Sequence, residues 1–251
     1  MHRFYLPPEE CRGGVLTLSG REAHHARHVL RLRDGERVVV LDGAGREWHC
    51  EVRASRRDSV SLQVLERNTV PPLPCSITLL QAIPKGKIVE SIIQKAAELG
   101  AARIVPILAE RVATHLETGG AEAKARKWQL VAIEAIKQCG NAWLPQVEAP
   151  LTVEKFLARR EHFDLPLVAC LEPDSRHPRE YFRKFIAAHQ RLPRSVCVWV
   201  GPEGDFTPAE YGAIKHSGAL PITLGRLVLR TETAATYCLS VLNYELQAPP
   251  G

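Results

Sequence analysis

The chain has 251 residues, 45% of them apolar and 24% charged, an ordinary globular balance that allows one large or two modest domains. No apolar run approaches the roughly 20 residues that span a bilayer, and Met1-His2-Arg3-Phe4-Tyr5 carries no signal-peptide core, so a cytoplasmic protein is expected. The net charge of +5 permits a nucleic-acid partner without demanding one. Seven cysteines form no C-x-x-C pair; Cys75, Cys170, Cys197 and Cys238 stand in apolar patterns and read as buried free thiols in a reducing compartment.

Residues 1 to about 70 have β character. Glu22–Leu32 reads as a short helix, and Glu36–Asp42, Arg46–Ala54 and Val60–Leu65 as strands of a small, mostly antiparallel barrel. Arg67–Pro74 is the linker, because Pro71, Pro72 and Pro74 break both helical and extended patterns. The expected boundary is at residue 72, giving domains 1–72 and 73–251. Beyond it strands and helices alternate: strand Ser76–Ala82, helix Ile88–Leu99 capped by Gly100, strand Arg103–Leu108 and helix Ala121–Cys139. Strand Leu167–Leu171, helix Pro178–Leu192, strand Ser195–Val200, strand Pro221–Leu224 and helix Thr233–Leu246 follow. Such alternation predicts an α/β fold with a mainly parallel sheet covered on both faces.

Two loops in this second half organise the chain. Val200-Gly201-Pro202-Glu203-Gly204 leaves a buried strand and runs into Thr207-Pro208-Ala209-Glu210, a capping box with Pro at the first helical position. Leu224-Gly225-Arg226-Leu227-Val228-Leu229-Arg230-Thr231-Glu232-Thr233-Ala234 leaves the next strand and enters the last helix. Glycines at strand ends permit tight turns and bring bare backbone near a ligand, and two such loops side by side make a ligand crevice.

These two stretches resemble the SPOUT methyltransferases, and among them the RsmE type, which methylates N3 of one uridine in bacterial 16S (small-subunit) ribosomal RNA. Gln81-Ala82-Ile83-Pro84-Lys85-Gly86-Lys87, Gln94-Lys95-x-x-Glu98-Leu99-Gly100, Glu134-x-x-x-Gln138-Cys139-Gly140 and the opening His2-Arg3-Phe4-Tyr5 extend the likeness over nearly the whole chain. The resemblance implies a PUA-like RNA-binding N-terminal domain and a C-terminal SPOUT domain. In the latter a trefoil knot brings residues near 170–172, 200–204 and 224–234 together; pattern reasoning alone gives an unknotted sheet. It implies S-adenosylmethionine as cofactor and a homodimer with active sites at the pairing interface. The implied partner is small-subunit ribosomal RNA within the 30S particle. The cofactor contacts implied are Leu171, Val200, Gly201, Pro202, Glu203, Gly204, Leu224, Gly225, Leu229, Thr231, Thr233 and Ala234.

Uridine N3 is a weakly acidic imide, so its methylation requires loss of a proton and stabilisation of the anion. Arg230 is the natural stabiliser or phosphate clamp, and Glu232 and Glu172 compete as proton acceptors; Glu203 reads better as a loop organiser. Arg3 and Arg31 occupy family-like positions in the N-terminal domain, and with His25, Arg33 and Arg226 they are the expected RNA contacts. The N-terminal 70 residues hold twelve Arg and no Lys, but ten acidic residues nearly balance them, so the resemblance rather than the charge carries that assignment. His24, His25 and His28 have no converging Cys or acidic partner in sequence, and no metal is expected. Family members usually have Gly where Asp205 stands, Pro-Arg where Arg226-Leu227 stands, and often Arg at Asn141; Arg226 could supply the displaced charge. A SPOUT enzyme acting on another nucleoside is one alternative. A non-catalytic ribosome-assembly factor is another, which cofactor binding would exclude.

Overall fold

The structure, a computed structural model, describes residues 1–86, 88–111 and 120–247. It divides into two compact units: Met1–Pro72 with Ile133–Leu144, and Leu73–Ala132 with Pro145–Gly251. A boundary follows the proline run at residue 72, and residues 133–144, expected in the second domain, pack with the first unit.

In the first unit β1 (His2–Tyr5), β2 (Val15–Ser19), β3 (Arg37–Leu41), β4 (Arg46–Ser55) and β5 (Ser59–Thr69) form one sheet in the order β1-β3-β4-β5-β2. All neighbours are antiparallel except β1 and β3. Alternation on β4 and β5 sends Trp48, Cys50, Val52, Val60 and Leu62 into one core with Phe4, Leu16, Leu18, Val38 and Val40. α1 (Gly20–His24) and a π-helical turn (His25–Val29) close that core with Ala23 and Ala26. The helix stops at Arg31, whose φ of 54° lies in the left-handed region. The short β1 and β2 were not among the expected strands, and β5 extends four residues past its expected end, into the linker.

The second unit holds β6 (Ser76–Ala82), α2 (Val89–Glu98), β7 (Arg103–Leu108) and α3 (Gly120–Cys139), whose residues from Ile133 on belong to the first unit. Then come β8 (Gln146–Val147), β9 (Leu151–Thr152), α4 (Val153–Leu157), β10 (Leu165–Ala169) and α5 (Pro178–His189). The chain ends with β11 (Ser195–Val200), α6 (Pro208–His216), β12 (Leu220–Ile222) and α7 (Thr231–Leu246). The sheet order is β12-β10-β11-β6-β7, with β8 and β9 both alongside β7, and every pairing is parallel. Leu80, Ala82, Val105, Ile107, Val168, Cys197 and Trp199 pack on one face with Phe156 of α4 and Ile214 of α6. On the opposite face Leu167, Val198 and Ile222 meet Cys238, Val241 and Leu242 of α7. No described helix is long and apolar enough to cross a membrane.

Three prolines lie inside sheet strands, where a missing N–H would break a ladder, and one of them, Pro221, is on β12, the outermost strand. β8 pairs with Arg103 and Ile104 and β9 with Ile107 and Leu108, so Pro106 falls in the gap between them. Pro166 precedes Leu167, the first β10 residue that β12 reaches. Each proline therefore has a strand partner on one side only. Cys75, Cys170, Cys197 and Cys238 are all buried and unbridged, and burial pushes the Cys197 and Cys238 thiols up to about 12. At the other end of the sheet Asp164 accepts from the Arg191 fork at 2.7 and 3.1 Å and from the Arg194 N–H at 2.7 Å. The Arg191 guanidinium holds that carboxyl well below the usual range and ties the approach to β10 to that of β11.

Candidate functional site

The C-terminal ends of β10, β11 and β12 open into one cleft with a cavity volume of about 100 Å³. Three loops shape it: Cys170–His177 after β10, Gly201–Thr207 after β11 and Thr223–Arg230 after β12. The first is pinned to β12, since Cys170 N–H donates to Ile222 O, Arg176 N–H to Pro221 O and Thr223 N–H to Arg176 O. In the second, Asp205 N–H closes a turn on Pro202 O at 2.9 Å, and Glu203 accepts from the Lys85 N–H at 3.1 Å. Arg111 Nη1 donates to Gly204 O on the outer side of that turn. The capping box forms as the sequence predicts, and Glu210 in it accepts a second bond, from Glu110 N–H at 2.9 Å.

Two positions require their residue type. A Cβ on Gly201 would lie 2.6 Å from Asp205 Oδ1, an atom already held by the Phe206 N–H at 2.8 Å. Gly225 has φ of 112°, and its Cβ position is open space. Asp205 itself has φ of 58°, which explains why glycine suits that position and why Asp, whose side chain bonds the local backbone, can replace it.

The wall chemistry is uneven. Leu171, Leu224, Leu227, Val228 and Leu229 supply apolar surface, and among the described residues the charged ones that line the cleft are Glu203 and Asp205. Thr231 and Ala234, from the first turn of α7, complete it. α7 begins without a side-chain cap, so its first N–H groups have no partner of that kind.

Residues 71–243 match the RNA methyltransferase domain family, and residues 18–65 the RNA methyltransferase PUA domain family. The Bacillus subtilis protein named ribosomal RNA small subunit methyltransferase E is 32% identical over 236 residues, 93% of this chain and 91% of its own. The chain belongs to the ribosomal RNA small subunit methyltransferase E family. A Legionella pneumophila methyltransferase candidate, solved with S-adenosylmethionine, superposes at a TM-score of 0.86 with 32% identity over 96% of both chains. The Neisseria gonorrhoeae ribosomal RNA small subunit methyltransferase E, solved with S-adenosyl methionine, gives 0.83 with 26% identity over 97% of both. The first unit thus contains the family's PUA-like domain, and the second most of its SPOUT α/β domain, whose matched span also takes in Ile133–Leu144.

Of the residues that membership suggested for the cofactor, all but Gly204 and Thr233 line the cleft. Gly204 sits outside, against Arg111, and Thr233 is exposed on α7. Ala169, Cys170, Asp205, Leu227 and Val228 also line it; Cys170, Leu227 and Val228 fall within the stretches expected to converge, and Ala169 and Asp205 lie just outside them. The candidate catalytic residues flank the cleft: Arg230 is the exposed N-cap of α7, Glu232 is half-buried in its first turn, and Glu172 is exposed one residue past Leu171. Among the expected RNA contacts Arg31, Arg33 and Arg226 are exposed. His25 is half-buried, edge-on to Phe4 at 6.2 Å. Arg3 is engaged: its Nη1 donates to Gln138 O at 3.3 Å, at the C-terminus of α3, and a Cβ on Gly140 would lie 2.8 Å from its Cζ. No local pattern near Arg3 reveals that bond, which spans 135 positions.

Proposed function

We propose that this chain is an S-adenosylmethionine-dependent methyltransferase that methylates N3 of a specific uridine in bacterial small-subunit ribosomal RNA. The observation that carries the cofactor half is the lining of the cleft, where apolar walls and two carboxylates surround glycine-turn backbone. A sulfonium is cationic and an α-amino group protonated, so both suit Glu203 and Asp205 and would be repelled by Lys or Arg. When bound, S-adenosylmethionine supplies an electrophilic methyl group. Gly201 and Gly225 bring backbone N–H and C=O groups close enough to read the edge of an adenine. Arg230, between the lining residues Leu229 and Thr231, stabilises the uracil anion, and Glu232 or Glu172 takes the N3 proton. Arg31 and Arg33 of the first unit hold RNA phosphates, as does Arg226 of the second, and Arg3 contributes while tied to α3.

Titration calorimetry on the full chain is expected to show S-adenosylmethionine binding at about one site per chain. The full chain is the right material, because a cut at residue 72 would separate Ile133–Leu144 from its own unit. Incubation with small-subunit RNA or 30S particles should then yield 3-methyluridine by mass spectrometry of digested RNA, with EDTA present. Cofactor binding with a ribose- or other base-methylated product would move the target, and no binding would remove the enzyme assignment.

The same reading makes the protein a cytoplasmic homodimer with a trefoil-knotted second domain. Supporting the knot, residues 223–230 carry the chain from β12, outermost in the sheet, past the end of β10 to α7 beside β6 and β11. Supporting the dimer, Leu171, Leu227 and Val228 beside the cleft are 64%, 76% and 78% exposed, and Tyr237 and Tyr244 of α7 stand 41% and 77% exposed. Apolar surface of that extent around a binding cleft calls for a cover. Light scattering at micromolar concentration is expected to give twice the 27.9 kDa chain mass, and an active monomer would refute the pairing.

A further inference from the structure

Gln81 is the penultimate residue of β6 and faces the sheet side that carries α7, because its neighbours Leu80 and Ala82 alternate into the opposite core. It is 3% exposed and lines no part of the cleft, yet it bonds a residue that does. Its Nε2 donates to Ala82 O at 2.8 Å and to Thr231 Oγ1 at 2.9 Å. Thr231 Oγ1 in turn donates to Gly201 O at 2.7 Å. A hydroxyl has one proton, and a carbonyl oxygen can only accept. The Thr231 proton is therefore committed to Gly201, and the atom that Gln81 presents to Thr231 must be a donor. Exchanging the amide O and N would set acceptor against acceptor at both Thr231 and Ala82. Gln81 acts through its two N–H bonds, since its buried Oε1 accepts none from the described residues.

We infer that Gln81 is a positioning residue for the methyl donor, acting through Thr231 on the Gly201 carbonyl. This rests on the reading of the cleft as the S-adenosylmethionine site. The relay fastens the first residue of α7 to the end of β11. The loops Gly201–Thr207 and Thr223–Arg230 are thus held to each other where both line the cleft. The relay spans 150 positions of sequence and three elements, β6, α7 and β11, and it is sealed from solvent: Thr231 is 4% exposed. In so dry a place each bond is strengthened, and a mismatched partner is correspondingly costly.

The test uses the full chain and two readouts, S-adenosylmethionine affinity by calorimetry and ligand-free hydrogen exchange. Gln81→Leu is expected to weaken the cofactor by roughly tenfold, the worth of a lost buried hydrogen bond. It should also speed exchange at the first-turn amides of α7 while β6 keeps its protection. Thr231→Val should match it, Thr231→Ser should recover most of what Thr231→Val loses, and Gln81→Leu with Thr231→Val should be no weaker than either alone. Gln81→Glu gives the signature that a packing role would not: its carboxylate faces two acceptors at neutral pH, while the protonated acid regains one bond. Burial raises such a carboxyl, so the variant's affinity should improve as pH falls from about 8 to about 6, where the wild type stays level. Wild-type protein that binds no cofactor would sink the cofactor reading, and the exchange data would still judge the relay. Binding by the wild type with Gln81→Leu within twofold and unchanged exchange would overturn the relay alone. So would equal losses in Thr231→Ser and Thr231→Val.

Discussion

Arg230→Ala is expected to slow single-turnover methyl transfer on saturating RNA by roughly 100- to 1,000-fold, the usual worth of a donor aimed at developing charge. Cofactor affinity should stay within about twofold, because Arg230 is absent from the cleft lining although Leu229 and Thr231 on either side belong to it. Thermal stability should hardly move: Arg230 is an exposed N-cap whose side chain makes no cap bond. The loss then falls on the rate, which marks an interaction made in the transition state. Arg31 and Arg33 are exposed on the first unit and serve as the contrast. Alanine at either should weaken RNA binding and flatten its salt dependence by about one charge, with the saturated rate preserved. Arg3 is a poor probe, because its bond to Gln138 O means that its removal also disturbs the end of α3. An Arg230→Ala enzyme that lost RNA affinity but kept its saturated rate would move Arg230 to the binding group and leave the chemistry to Glu172 or Glu232.

The parts of the fold legible in sequence are those whose causes are local. Ser76–Ala82, Arg103–Leu108 and Ser195–Val200 appear with the bounds that their apolar runs predict, since each is buried on both faces. The Thr207–Glu210 box and Gly100 at φ of 81° follow from backbone chemistry within a few residues. The misreadings are equally specific. β10 was expected at Leu167–Leu171 and lies at Leu165–Ala169, because Pro166 reads as a breaker until the reach of β12 is known. α7 starts at Thr231 rather than Thr233, where its first hydroxyl is drawn to Gly201. β8 and β9, two residues each, have no period to detect. At the cleft, the glycine loops were readable because they stand in contiguous motifs at strand ends. Arg111 on Gly204, Gln81 on Thr231 and Arg3 on Gln138 were not, because each bond depends on how distant segments meet.

The largest stability loss is expected inside the first unit, at the pair Lys137 and Glu22. The Lys137 side chain is 5% exposed, and its ammonium lies 2.7 Å from Glu22 Oε1 and 3.2 Å from Glu134. Glu22 is 13% exposed and its other oxygen accepts the Tyr5 N–H at 3.3 Å, so one carboxylate joins α1, β1 and the end of α3. Glu134 is 40% exposed and shared with Arg21, which makes it a weak substitute. Glu22→Ala strands a buried ammonium, and the cost should be about 3–5 kcal/mol. For a chain of this size that is a fall of roughly 6–20 °C in Tm, with a matching shift of the urea midpoint. Lys137→Met leaves the Glu22 carboxylate without its cation, but that carboxylate is more exposed and keeps the Tyr5 N–H, so the loss should be milder. Combining it with Glu22→Leu should recover most of the loss, since an apolar pair of similar size often replaces a buried ion pair at little cost. The asymmetry between removing one partner and replacing both is the diagnostic. If Glu22→Ala cost under about 1 kcal/mol, Lys137 would have found water or Glu134, and the pair would rank with ordinary surface bridges.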